Sequence, residues 1–155
     1  MKHGVSTYSF DQLLSTGQLS LAGAIREAGA MGFDGVELAN LTENYPYDPE
    51  ELCAAAREAG VELCSWATSA NFAADISAQE TALRAEIDRA AAMGCKAVRT
   101  DIYHEDVLHP YAENVLAALR RLADYAQELI EKGKSAAEVA ERTDVFKTRV
   151  HAIAM

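Results

Sequence analysis

The sequence has 155 residues, half of them hydrophobic and a quarter charged, with a net charge of −10. That length suffices for one compact domain with a real core, and the balance excludes a disordered or collagen-like chain. The acidic excess argues against binding nucleic acid or an anionic membrane through the overall field.

Taken in chain order, His3–Ser9 reads as a first strand. Leu21–Met31 has apolar residues at helical spacing, with Ser20 as the N-cap. Gly35–Ala39 reads as a second strand, and Pro49–Ala59 as a helix with proline in its first turn and Asp48 as the cap. Val61–Ala67 is a third strand. Ser77–Met93 is helical, opened by a capping box of Ser77 and Glu80. Ala97–Ile102 is a fourth strand, and Pro110–Glu131 is the longest helical run. The strands are expected to be buried on both faces or nearly so. Gly32, Gly60 and Gly94 follow helices at positions that call for a left-handed residue.

The order repeats. Ala28-Gly29-Ala30-Met31-Gly32 matches Ala90-Ala91-Ala92-Met93-Gly94, and Gly-Val-Glu-Leu occurs at 35–38 and again at 60–63. Strand starts fall about 30 residues apart, one βα unit per repeat. Strands alternating with helices imply a parallel sheet with right-handed crossovers, in a doubly wound sheet or a barrel segment. The turn after strand one, Ser6-Thr7-Tyr8-Ser9-Phe10-Asp11, has no glycine to cradle a pyrophosphate, which favours the barrel segment. The expected fold is α/β: a parallel (β/α)4 half of a TIM-type barrel over 1–131, then a helical tail over 132–155.

Three segments carry a resemblance: Gly4-Val5-Ser6-Thr7-Tyr8-Ser9-Phe10, Ala30-Met31-Gly32-Phe33-Asp34-Gly35-Val36-Glu37-Leu38, and Ala92-Met93-Gly94-Cys95-Lys96-Ala97-Val98-Arg99-Thr100-Asp101. Over roughly residues 2–128 the chain resembles the sugar phosphate isomerase/epimerase family of xylose-isomerase-like TIM barrels. The resemblance implies a barrel whose site lies at the C-terminal ends of its strands. It implies a small sugar or sugar phosphate as substrate. It also implies a divalent metal, Mn or Mg, that stabilises an enediolate while a carboxylate moves the proton. In the family the metal is held by Glu, Asp, His and Glu from later strands. No segment here matches those motifs, so no metal ligand is assigned to any position, and whether the chain is a competent isomerase or epimerase stays open.

The resemblance does assign a first-half mouth of substrate-binding residues: Tyr8, Glu37, Trp66, Arg99 and Asp101. An aromatic face fits the apolar side of a sugar, and polar groups fit its hydroxyls. Each has a structural alternative. Trp66 can be a core residue facing the helices, and Glu37 can satisfy backbone amides. Arg99 and Asp101 share a face by strand alternation and can pair with one another. A competing function is a sugar-binding or assembly module without turnover.

Other constellations are weaker. His104, Glu105, Asp106 and His109 follow strand four, but the His spacing is not i, i+4 and a solvated loop explains it. There is no Gly-x-Ser-x-Gly and no P-loop. Cys53, Cys64 and Cys95 are odd in number and lack Cys-x-x-Cys spacing. They are expected to be buried reduced thiols, which favours a cytoplasmic location. No run of about 18 apolar residues could cross a bilayer, and the start lacks the apolar stretch of a signal peptide.

The tail is locally basic. Lys132, Lys134, Arg142, Lys147 and Arg149 outnumber Glu138, Glu141 and Asp144. Ser135–Ile153 resembles a helix-turn-helix, with Ser135 and Glu138 as a capping box. Asp144 at the turn and the lack of a third helix favour a tail that covers an apolar face over a DNA-binding regulator. Four βα units leave strands one and four as sheet edges. A homodimer that completes the barrel, or the tail folded across the open face, would cover them.

Overall fold

The computed structural model describes residues 2–39, 45–72, 75–102 and 112–132. Its elements are β1 (Gly4–Ser6), a 3-10 turn (Thr7–Phe10), α1 (Asp11–Ser15), α2 (Leu21–Ala30), β2 (Gly35–Ala39), α3 (Pro49–Ala59), β3 (Glu62–Ala70), α4 (Ile76–Ala92), β4 (Val98–Ile102) and α5 (Ala112–Lys132). The strands form a four-stranded parallel sheet in the order β1-β2-β3-β4. The expected (β/α)4 order is therefore present. The tail beyond 132, with its helix-turn-helix reading, and the His104–His109 segment lie outside the described residues.

Local chemistry places most boundaries. The Ser20 hydroxyl accepts the Gly23 N–H at 3.0 Å, and the Asp48 carboxylate accepts the Glu50 N–H at 2.9 Å, so α2 and α3 open where their caps stand. Gly60 ends α3 at φ 69°, a left-handed conformation that costs an L side chain about 1–2 kcal/mol. Asp34 joins the starts of β1 and β2: its carboxylate accepts the His3 N–H at 2.7 Å, while its own N–H donates to the His3 carbonyl at 2.8 Å.

Some boundaries differ from the sequence reading. β1 stops at Ser6, because the Ser6 hydroxyl accepts the Tyr8 N–H at 3.3 Å and turns the chain into the 3-10 segment. Neither β1 nor β4 is buried on both faces: Gly4 is exposed with Val5 and Ser6 half-buried, and β4 alternates half-buried with exposed residues. β3 runs on to Ala70. Asp75, not Ser77, caps α4: its carboxylate accepts the N–H groups of Ser77 at 2.9 Å and Ala78 at 3.1 Å. The three cysteines are free, but half-buried.

The chain divides into two compact units. The first holds Met1–Thr68 and Ala92–Arg99. Its core is built where α2 packs on α3 and on β2, around Ile25, Ala28, Val36, Leu38, Leu52 and Ala55. Small residues let the two helices approach closely. A Cβ added to Gly29 would lie 2.7 Å from both the Cβ and the carbonyl oxygen of Ala59, so only glycine fits at that crossing.

Among the described residues, the second unit holds those from Ser69 to Ala91 and from Thr100 to Lys132. There α4 buries Leu83, Ile87 and Ala90, and α5 buries Val115, Ala118 and Leu122, each set at helical spacing along one face. A polar cluster joins the two helices. The Glu80 carboxylate accepts from Arg121 at 2.6 and 3.0 Å and from Arg84 at 3.2 Å. The Arg84 guanidinium lies 4.6 Å from the Tyr125 ring centroid, and the Tyr125 hydroxyl donates to Asp88 at 2.6 Å.

Candidate functional site

Strand register decides which side chains share a face. Between β1 and β2, Ser6 stands beside Glu37, and between β2 and β3, Val36 stands beside Leu63. The next pair is Glu37 with Ser65, so Cys64 is the extra residue of a β-bulge, and Leu38 then pairs with Trp66. Val36, Leu38, Leu63 and Trp66 thus form the face packed against helices, and all are buried. Ser6, Glu37 and Ser65 lie on the opposite, open face, and each is half-buried.

On that open face Glu37 meets Arg99. The guanidinium Nε of Arg99, on β4, donates to Oε1 of Glu37, on β2, at 3.2 Å. Strand β3 runs between them, with the small residue Ser65 beside Glu37. The Glu37 side chain is 23% exposed and that of Arg99 46% exposed. A carboxylate that accepts and a guanidinium that donates are therefore held together within reach of solvent.

The other anticipated residues fall elsewhere. Tyr8 lies just past β1 in the 3-10 turn and is 67% exposed. Trp66 is 1% exposed and meets Tyr47 edge-on, with centroids 5.9 Å apart. Its register partner Leu38 puts it on the helix-packed face, opposite Glu37, which fits the core alternative for this residue. Asp101 belongs to the second unit and is exposed on β4.

Two contacts near the ends of β1 and β2 escaped the sequence reading. The buried Thr7 hydroxyl accepts the Ala39 N–H at 2.9 Å and donates to the Ala39 carbonyl at 3.4 Å, continuing the β1–β2 connection after β1 has turned away. The Tyr45 hydroxyl donates to Asp11 at 2.5 Å, and that hydrogen bond raises the phenol's pKa above its ordinary value. Neither carries a periodic or motif signal.

At the starts of the strands, the Glu62 carboxylate accepts from Lys96 at 2.9 Å and from Lys2 at 3.1 Å. Lys96, then Lys2, hold its pKa below the ordinary carboxylate value. A separate open groove of about 260 Å³ is lined by Pro49, Glu50, Cys53, Arg57, Ala92 and Met93, and includes none of the anticipated residues.

Among the described residues, no group of three or more His, Cys, Asp or Glu side chains is arranged to hold a metal ion. They supply no ligand set for the divalent metal that the resemblance implies. No helix among them is long and apolar enough to cross a membrane.

Comparison with known proteins agrees with the fold. A sugar phosphate isomerase/epimerase from Parabacteroides distasonis ATCC 8503 superposes with a TM-score of 0.63 at 17% identity, over 83% of this chain and 51% of that one. This chain thus spans about half the length of that structure, and at such identity the likeness concerns the fold. No curated protein matches the chain. The family described as xylose isomerase-like TIM barrel matches residues 25–145, more than half of the sequence. The chain belongs to the xylose isomerase-like TIM barrel family.

Proposed function

We propose that the open face of this sheet binds a small sugar or sugar phosphate, and that the chain carries the first half of an isomerase or epimerase site. The observation that carries this reading is the Glu37–Arg99 pair on that face. The carboxylate accepts hydrogen bonds from hydroxyls, and the guanidinium donates to hydroxyl or phosphate oxygens. Tyr8, exposed beyond β1, offers an aromatic face to the apolar side of a sugar ring.

Interconverting sugars by isomerisation or epimerisation moves a proton on or off carbon and needs a base and a stabilised oxyanion. In this reading the role given to the described residues is recognition of the sugar. The free thiols suit a reducing, cytoplasmic setting. Calorimetric titration with aldoses, ketoses and their phosphates tests recognition. Proton NMR of the same mixtures with added Mn²⁺ or Mg²⁺ tests turnover. Binding with metal-dependent interconversion supports the enzyme, and binding without turnover leaves a sugar-binding module. No heat of binding with any sugar or sugar phosphate would overturn the reading.

A further inference from the structure

We draw no further inference here: the strongest candidate, the open face of the four-stranded sheet with its outer strands β1 and β4, carries nothing because nothing in the structure shows what covers it.

Discussion

Arg99 on β4 reaches past strand β3 to donate to Glu37 on β2, at 3.2 Å. An ion pair this exposed contributes only about 0–1 kcal/mol to folding. If it serves a ligand, its removal separates binding from stability. Arg99→Ala and Glu37→Gln are each expected to weaken sugar binding about tenfold or more, since a hydrogen bond to a charged group is worth roughly 1.5–3 kcal/mol. The unfolding midpoint in urea should move little. Unchanged calorimetric affinity in both variants would remove the pair from the site.

Trp66 tests the bulge. It is 1% exposed on the helix-packed face, so Trp66→Ala should cost about 3–5 kcal/mol, read from urea denaturation. Trp66→Phe keeps most of the packing and should leave sugar affinity at the wild-type value. A marked loss of affinity in the folded Phe variant would place the indole against the ligand instead.

Gly29 and Gly60 should fail for different reasons. Alanine at Gly29 gains helix propensity of about 1 kcal/mol. It must also push its Cβ to 2.7 Å from the Ala59 carbonyl oxygen, so a net loss of stability is expected. At Gly60 nothing lies within 4 Å of an added Cβ, and the cost comes from φ 69° alone. Thermal melts of Gly60→Ala and Gly60→Asn should show the Asn variant as the less damaged, because Asn tolerates the left-handed region. Equal losses would argue against a backbone origin.

Acid should act partly through Glu80. Hydrogen bonds from Arg121, and behind it Arg84, hold this carboxyl below its ordinary value of 4.5, with burial working against them. A group whose folded pKa is lowered adds stability above the unfolded pKa and loses it as pH falls through the folded one. Glu80→Gln should therefore be less stable than wild type at neutral pH. The gap should close as pH drops below about 4.5 and on through the lowered value. Urea midpoints measured at a series of pH values check this, and a gap that persisted in acid would contradict it.

Burial pushes the Cys95 thiol up to about 12, with the neighbouring Cys64 and Cys53 adding to the rise. The thiolate is the nucleophile, and a rise from 9.0 to about 12 cuts its fraction near pH 8 about a thousandfold, so native Cys95 should react with a disulfide reagent far more slowly than in the unfolded chain. Peptide mapping after timed labelling reads this directly, and rapid labelling of native Cys95 would show its burial to be transient.

Much of this fold was legible before any coordinates. Ser20 and Asp48 cap their helices as their side-chain chemistry requires, and Gly32, Gly60 and Gly94 have positive φ. β2 and α3 begin and end at the residues that the sequence indicated. Such features depend on neighbours a few positions apart, so periodicity and capping suffice to find them.

What the sequence could not decide is which face a strand shows after an irregularity. Regular alternation from Leu63 would send Trp66 to the open face beside Glu37, and one extra residue, Cys64, reverses it. A bulge is set by how two strands pair, not by the strand's own pattern. The same holds for Glu37 and Arg99, which stand 62 residues apart. Both were singled out from sequence, but only the folded sheet brings the carboxylate and the guanidinium together, because their meeting depends on strand order.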